Sequence, residues 1–443
     1  MAEDGLPPAR RRAATICVAV GVAMTVLDAA MVNVALPTIS RDLAIQPATA
    51  TWVVNAYQLV MVGLLLPCAA LGEVLGFRRV YQVGLCIYLL GALGSAFAPG
   101  LEWLLASRVL QGVGAASVMS LTAGLMRNIY PSSQLGRAIG INAFTVAFCS
   151  AVGPSIGSLI ITLAGWPMMF FLAVPIGLGV LLLGQRALPD VPPQPREFDL
   201  LGAGLTVLTF GSLILGLDLL LVAPWLGVPV LLLGLAALWL LLKVAAAKPA
   251  PVFPLDLLRL RVVRLAIGAS SCMFGAQAML YVTLPFHLTA AGRSVAEIGL
   301  ILSAWPAAIA IAAPLAGRFS DRVTSALLPA VGAGLVALGL VMVAMLDPRA
   351  PAWVLMLALF FCGAGFGSFQ APNNRAMLGA APRARAGVAG GMQSTARVFG
   401  QATGTMLVAL CFHAAVATPW VLVVAGCGAV VAAGLCVVRG RGT

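Results

Sequence analysis

Apolar stretches long enough to cross a membrane recur along almost the whole chain. About fourteen of them are separated by proline, glycine or charged residues, and each holds roughly 20 mostly apolar residues, the length of a transmembrane helix. Their centres lie near positions 25, 60, 88, 114, 150, 176, 209, 233, 276, 307, 336, 362, 400 and 428. With 61% hydrophobic and only 9% charged residues, the chain is more apolar than soluble proteins and leaves no room for a soluble catalytic domain. The sequence therefore predicts an all-α integral membrane protein that is not an enzyme.

Basic residues predict how the chain is oriented in the membrane. If the amino terminus is cytoplasmic, all but five of the 26 Lys and Arg residues fall in short cytoplasmic loops and tails. The exceptions are Arg41, Arg293 and Arg349 outside, and Arg108 and Arg397 within spans. This bias is typical of cytoplasmic loops, and an even number of spans then places both termini in the cytoplasm. Because the net charge of +12 is dispersed, we expect the lipid bilayer as a partner and no nucleic acid.

Neither a metal site nor a nucleotide site is expected. The nine cysteines fall inside apolar stretches without the spacing of zinc ligands or of a disulfide framework. The sequence also lacks a phosphate-binding loop of the Gly-Lys-Ser type. These observations predict no metal and no direct coupling to ATP.

A similar cytoplasmic turn follows the second and the tenth span, which indicates two related halves. Repeats of this kind are typical of secondary transporters. We expect a six-helix bundle over residues 1–188, linkers and two inserted spans over 189–263, and a second six-helix bundle over 264–443. The acids and arginines of the two turns are predicted to form ion pairs that close the cytoplasmic gate. The turn residues are Gly72, Glu73, Gly76, Arg78 and Arg79 in the first half, and Arg318, Asp321 and Arg322 in the second.

Two charged residues are predicted to meet inside the membrane. Asp28 in the first span and Arg108 in the fourth lie at similar depths, about 12 Å and about 9 Å from the outer ends at 1.5 Å per residue. A charge at the middle of a span costs about 2.5–3.5 kcal/mol, so such residues tend to be functional. A buried carboxyl beside an arginine is suited to loading and releasing a proton. The alternative is a fixed ion pair that only holds the helices together.

Two further charges lie within spans. Asp218 is near the outer end of a helix expected at the periphery, and Arg397 is near the midplane of the thirteenth span. No acid lies in any span of the second half, so the partner of Arg397 would be Asn, Gln, a backbone carbonyl or an anionic group. Helix packing and a functional role are both compatible with that position.

Six short motifs, in order along the chain, resemble those of the major facilitator superfamily and, within it, of the fourteen-span drug:proton antiporters. They are Leu27–Pro37, Trp52–Tyr57, Gly72–Arg79, Arg108–Gly112, Gly153–Ser158, and the second-half pair Pro372–Arg375 and Arg397–Gln401. The sequence departs from these patterns at Ala30, Glu73, Val74 and Ser158. The resemblance implies the major facilitator fold, with two six-helix bundles plus two inserted helices. It also implies a proton gradient as energy source with no cofactor, a monomer, and the bacterial cytoplasmic membrane.

The resemblance further implies which spans line a central cavity. Aromatic rings and methionines suit lipophilic cations, and amides in apolar surroundings need partners. The expected cavity residues are Met24, Met31, Asn33, Trp52, Asn55, Tyr57, Gln58, Gln111, Gln277, Tyr281 and Arg397. Gly153, Pro154 and Gly157 are interpreted as a hinge, because small residues one turn apart allow close approach and proline permits bending. A static packing face is the alternative.

These patterns predict a proton-coupled exporter of small amphipathic drugs or toxic compounds, with cations favoured, that works by alternating access. Asp28 and Arg108 would couple transport to protons. The first alternative is a proton-coupled exporter of one specific metabolite or antibiotic. A non-transporting membrane receptor or scaffold is an alternative of another class, although it would not need Asp28 or the repeated turns.

Overall fold

The chain is helical, and the helices of its first half are long. The computed structural model describes residues 5–131, 134–191, 197–248, 251–319, 326–380 and 386–441, and no β-strand occurs within these ranges. The first seven helices are α1 (Pro8–Asp42), α2 (Pro47–Ala50), α3 (Trp52–Leu75), α4 (Phe77–Ala96), α5 (Leu101–Ile129), α6 (Leu135–Ala164) and α7 (Pro167–Ala187).

The remaining helices include the two inserted spans and the second bundle. The inserted spans are α8 (Leu200–Val222) and α9 (Pro224–Ala247), followed by the short α10 (Leu255–Arg259). The second bundle comprises α11 (Arg261–Ala290), α12 (Val295–Phe319), α13 (Leu327–Met345), α14 (Ala352–Ala380), α15 (Ala386–His413) and α16 (Thr418–Gly440).

The predicted spans correspond to these long helices. In the described part of the chain, thirteen helical segments are long and apolar enough to cross a membrane. The remaining predicted span lies in α15, which has 28 residues but is less apolar because it contains Gln393, Arg397 and Gln401. Every predicted centre falls inside one long helix, so the all-α membrane fold with about fourteen spans is confirmed.

Local sequence explains where several helices begin and end. Prolines at the first helical turn, such as Pro167 in α7 and Pro224 in α9, are tolerated because the missing N–H would have no helical partner there. Gly76 has a φ of +96°, which glycine adopts without strain, and it makes the sharp turn between α3 and α4. Helix α1 continues through Pro37 to Asp42, which is tolerated because neighbouring helices can compensate the hydrogen bond that proline lacks.

The two bundles meet along two seams. At one seam α6 of the first bundle packs on α12 of the second, and at the other α3 packs on α15. Ser155 Oγ on α6 lies 2.8 Å from Ser303 Oγ on α12, a hydrogen bond between the bundles. A Cβ on Gly299 would lie 2.5 Å from the Pro154 carbonyl oxygen, so glycine permits this close approach. The bundles are therefore in direct contact along α6 and α12.

Apolar clusters also connect the two bundles. We call the end that carries both termini inner, since the sequence predicts it to face the cytoplasm. One apolar core includes residues of both bundles, from Leu36 and Phe170 to Leu284 and Trp305. A second cluster joins the first bundle to α8 and to Val398 of α15. The two bundles are thus held together by apolar contacts as well as by the hydrogen bond between α6 and α12.

The inserted helices lie over the second seam. Helix α8 packs on α9 and also on both α3 and α15. Val207 of α8 meets Gly63 of α3, and the Phe210 ring of α8 lies 5.5 Å from the Phe399 ring of α15. The helix that carries Asp218 therefore contacts both bundles, while Leu201 and Leu208 on its other face are exposed.

Candidate functional site

Asp28 and Arg108 form a buried ion pair between α1 and α5. Arg108 Nη1 lies 2.8 Å from Asp28 Oδ2 and 3.0 Å from Oδ1, and Gln111 Nε2 donates to Oδ1 over 2.9 Å. Gln111 also accepts from Arg108 Nη1 at 2.7 Å, so the three side chains are mutually bonded. Asp28 is 5% and Arg108 1% exposed. The structure thus brings together the two charges that the sequence placed at similar depths.

Arg108 is held in this orientation by two further helices. Its Nε donates to the Val53 carbonyl oxygen of α3 over 3.0 Å. The guanidinium carbon lies 4.4 Å from the centre of the Tyr57 ring and 5.5 Å from that of Phe170 on α7, distances at which cation–π attraction acts. Four helices of the first bundle therefore fix this one side chain.

The arrangement determines how the pair can bind a proton. Both oxygens of Asp28 accept hydrogen bonds, Oδ1 from Arg108 and Gln111 and Oδ2 from Arg108, so a bound proton would compete with these donors. Breaking a buried pair costs several kcal/mol unless another interaction replaces it. The pair therefore has two chemically distinct states, ionised and joined, or protonated and separated.

Several predicted cavity residues carry polar groups without protein partners. Tyr57 is 2% and Asn55 0% exposed, and neither the Tyr57 hydroxyl nor the Asn55 amide has a hydrogen-bond partner in the described residues. Asn33 uses its amide nitrogen on the Ala29 carbonyl of its own helix and leaves Oδ1 unpaired. Gln58 reaches across the seam to Thr405 Oγ1, at 3.5 Å. Unpaired buried groups are costly, which makes this region a candidate binding surface.

Arg397 faces the space between the bundles. On α15, Ala396, Gly400 and Gly404 lie on the α11 side and Thr405 contacts α3. Arg397 falls between these two faces, is half-buried, and interacts electrostatically with Tyr57. Among the residues that the structure describes, none forms a hydrogen bond or ion pair with its guanidinium group. Gln277 on α11 is likewise half-buried, and no described residue bonds its amide.

Four predicted cavity residues are placed elsewhere. Met24 packs against α7 at Gly177, and Met31 packs against α6 at Gly157. Trp52 points to the inserted helix, where Nε1 donates to Asp218 Oδ2 over 3.1 Å. Tyr281 donates to the Leu302 carbonyl within the second bundle at 3.4 Å. Each of the four side chains therefore contacts a neighbouring helix, and their place in a central cavity stays a prediction.

The first cytoplasmic turn is bonded differently from the prediction. Arg78 donates to the Gln185 carbonyl and lies 4.0 Å from Asp190, beyond the end of α7. Gln185 lies near the end of the first bundle and Asp190 begins the linker, so Arg78 bonds the end of α7 and the start of the linker and does not pair with Glu73. Glu73 is half-buried, and Arg79 is exposed. Gly72 and Gly76 shape the α3–α4 turn, since a Cβ on Gly72 would clash with Leu121.

The second turn cannot be compared with the prediction. Arg318 lies in α12, but its side chain, Asp321 and Arg322 fall outside the described residues. The ion pairs predicted there stay a prediction.

The expected hinge glycines make close contacts. A Cβ on Gly153 would lie 2.6 Å from the Ala30 Cβ, and one on Gly157 would lie 3.0 Å from the Met31 Cα. Pro154 is buried inside α6 between them. These glycines allow α6 to approach α1 closely, and bending at Pro154 stays a prediction.

A polar network in the second bundle was missed. Asn373 on α14 donates to the Ala266 carbonyl at 3.0 Å and to Ser270 Oγ at 2.9 Å, while its Oδ1 accepts from Arg439 on α16. Arg439 is only 3% exposed, although the charge bias predicts it in a cytoplasmic tail. Asn373 belongs to the motif Pro372–Arg375. A polar residue within an apolar span was the sequence signal for this network.

Comparison with known proteins agrees with this architecture. Residues 18–405 match the model of the Major Facilitator Superfamily. The chain is 44% identical over 419 residues to the uncharacterized transporter YebQ of Escherichia coli, covering 92% of this chain and 90% of that protein. It is 32% identical to the riboflavin transporter RibZ of Clostridioides difficile, covering 88% and 86%. It is 31% identical to the multidrug resistance protein Stp of Mycobacterium tuberculosis, covering 88% and 73%. The family match spans both bundles and the inserted helices, and the chain belongs to the Major Facilitator Superfamily.

Proposed function

We propose that this chain is a proton-coupled exporter of small amphipathic compounds, acting as a single chain in the bacterial cytoplasmic membrane. The observation that supports it best is the Asp28–Arg108 pair, a carboxyl that must exchange its arginine for a proton. A receptor or scaffold would gain nothing from a charged pair at this depth that well-packed apolar residues could replace.

The cycle follows from the two states of the pair. With the inner end open, cargo enters from the cytoplasm and displaces the proton of Asp28, and the ionised carboxylate then pairs with Arg108. After the bundles rock to open the outer end, a proton binds Asp28, Arg108 withdraws, and cargo leaves. The protonated form returns and releases its proton inside. Inward proton movement supplies about 2.3 kcal/mol per charge for each 100 mV of membrane potential, together with the pH difference.

Charge limits the cargo. Asp28 and Arg108 neutralise one another, and Arg397 adds a positive charge that no described residue pairs. A singly charged cation competing for Asp28 is compatible with this balance, whereas a dication meets net repulsion. We therefore propose neutral or singly charged cationic compounds. The name of Stp supports a broad range of cargo, and the name of RibZ supports the alternative of one specific metabolite.

Reconstituted vesicles test the proposal. Purified protein is placed in liposomes with an imposed pH gradient and an internal pH-sensitive dye, and a panel of neutral, monocationic, dicationic and anionic compounds is added. Collapse of the gradient by several neutral or monocationic compounds supports the proposal. Collapse by a single metabolite selects the alternative, and no response to any compound, with ionophore controls intact, contradicts both.

A further inference from the structure

The inserted helix α8 carries a buried carboxyl at the seam between the bundles. Ile214 and Asp218 lie on the face of α8 that packs against the bundles, and they are 1% and 5% exposed. Asp218 Oδ2 accepts from Trp52 Nε1, which places the carboxyl against the first turn of α3 at the outer end. The same face of α8 contacts α15 through Phe210 and Phe399. Asp218 thus lies at the seam where α3 of the first bundle meets α15 of the second.

The carboxyl of Asp218 differs from that of Asp28 in its partners. Its Oδ2 has the indole donor at 3.1 Å, and its Oδ1 is buried with no hydrogen-bond partner in the described residues. No Arg or Lys of the described chain forms an ion pair with it. A proton can therefore bind Oδ1 while the Trp52 bond is kept and without separating an ion pair, which Asp28 cannot do in this conformation.

The titratable groups around Asp218 are few. Helix α15 contributes His413, which interacts electrostatically with Asp218, and Cys411 two residues before it. Tyr57 on α3 faces Arg108. The short α2 and the outer half of α9 carry no titratable side chain, and the Lys243 of α9 lies near its inner end.

His413 is the titratable residue of α15 whose charge acts on Asp218. The imidazole is exposed at the outer end of α15, and its Nδ1 contacts the Ala409 carbonyl of its own helix at 2.9 Å. That contact leaves Nε2 available to exchange protons with water. Trp52 belongs to α3 and His413 to α15, so separation of these two helices at the outer end would move the two side chains apart.

We propose that Asp218 is a second proton-binding residue of the transport cycle, loaded from the outer side by way of His413. The proton passes from the imidazolium to Oδ1, leaving a neutral imidazole and a neutral carboxyl. When the seam opens or closes, the carboxyl exchanges Trp52 for His413 as its neighbour. Protonation of Asp218 is thereby coupled to the conformation of the seam. The inserted helices then take part in transport. This inference rests on the proposed proton-coupled function.

Two measurements test it, and the first needs no cargo. Infrared difference spectra of the purified protein in lipid are recorded between acid and alkaline pH for the wild type, Asp218→Asn and the exposed control Asp347→Asn. Asparagine keeps an acceptor for Trp52 but cannot bind a proton. We expect one protonated-carboxyl band to be lost in Asp218→Asn and kept in the control. Identical spectra for all three proteins overturn the proposal.

The second measurement counts protons per cargo in vesicles, with tetraphenylphosphonium as probe. We expect Asp218→Asn to move about one proton fewer per cation than the wild type, and His413→Gln to keep the carboxyl band but lose the response to outer pH. An unchanged proton count in Asp218→Asn overturns the inference. If the wild type moves no protons with any compound of the panel, the proposed function fails, and the infrared comparison still decides whether Asp218 binds a proton.

Discussion

Arg108 Nη1 bonds both carboxylate oxygens of Asp28, at 3.0 Å and 2.8 Å, and so joins α5 to α1 inside the first bundle. Since Arg108 also reaches the Val53 carbonyl of α3, movement of this one side chain alters contacts among three helices. Protonation of one carboxyl can thereby change how the helices of the bundle are held.

The stability of the pair can be measured by substituting its members. Asp28→Asn leaves the Arg108 charge buried without a counterion, and we expect it to lower the free energy of unfolding by about 3–5 kcal/mol. The double variant Asp28→Asn/Arg108→Gln removes that charge and should recover most of the loss. Thermal unfolding in detergent compares the variants. If the double variant loses as much unfolding free energy as the two single variants lose together, the two residues act independently.

Arg397 is expected to weaken the binding of cations. If the Arg397 guanidinium lies roughly 10 Å from a bound cation, and the effective dielectric constant is about 20, their repulsion is about 1.7 kcal/mol. Arg397→Gln should therefore bind monovalent lipophilic cations on the order of tenfold more tightly, whereas Arg397→Lys should resemble the wild type. Equilibrium binding of tetraphenylphosphonium measures this, with Arg349→Gln in an outer loop as the matched control. Equal affinities of Arg397→Gln and the wild type would place the cargo far from this side chain.

The contact between Ser155 and Ser303 allows the outer seam to be locked. Their Oγ atoms lie 2.8 Å apart on α6 and α12, so cysteines at both positions should form a disulfide under oxidising conditions. We expect the oxidised double variant to lose transport and a reductant to restore it, because the outer end can no longer open. The single Cys variants control for the native thiols. Full transport by the cross-linked protein would mean that α6 and α12 do not separate during the cycle.

Asp199 provides a test at the inner surface. Burial alone would raise the pKa of this carboxyl, but hydrogen bonds from Lys248 and from the Gly202 N–H outweigh it and hold the pKa below its ordinary value. Such a group stabilises the fold above its unfolded pKa of about 3.9, and the contribution is lost as the pH falls through the lower folded pKa.

Replacing Asp199 with alanine removes the hydrogen bonds from Lys248 and from the Gly202 N–H. Asp199→Ala should lower stability at neutral pH by about 1 kcal/mol, because α8 loses its N-cap. Unfolding curves recorded from neutral to strongly acid pH should show the difference from the wild type shrinking below the ordinary Asp pKa. A difference that is constant over this range would assign the effect to packing.

The sequence predicts those features that depend on one helix at a time. Span positions follow from apolar runs, and the meeting of Asp28 with Arg108 follows from the cost of an unpaired charge in a span. The direction in which a side chain points from its helix is harder to predict. Trp52 and Met24 lie on cavity helices, yet each turns toward a neighbouring helix, since their orientation depends on the packing of helices distant in sequence.

Partners across the fold were least predictable. Arg78 bonds residues at the end of α7 instead of the nearby Glu73, and Asp218 bonds Trp52 over 166 positions. No local pattern encodes such pairs. Arg439 shows the same limit, because its place in the last turn of an apolar helix suggests exposure to solvent, whereas it is buried and bonds Asn373 of α14.

Proton release on cargo binding tests the central claim most directly. Purified protein in weakly buffered detergent solution is mixed with a monovalent cation from the panel, and the protons released per bound cation are counted for the wild type, Asp28→Asn and Asp347→Asn. The account predicts about one proton fewer for Asp28→Asn and no change for Asp347→Asn. Equal release by all three proteins, with equal cation binding, would contradict the assignment of Asp28 as the proton carrier.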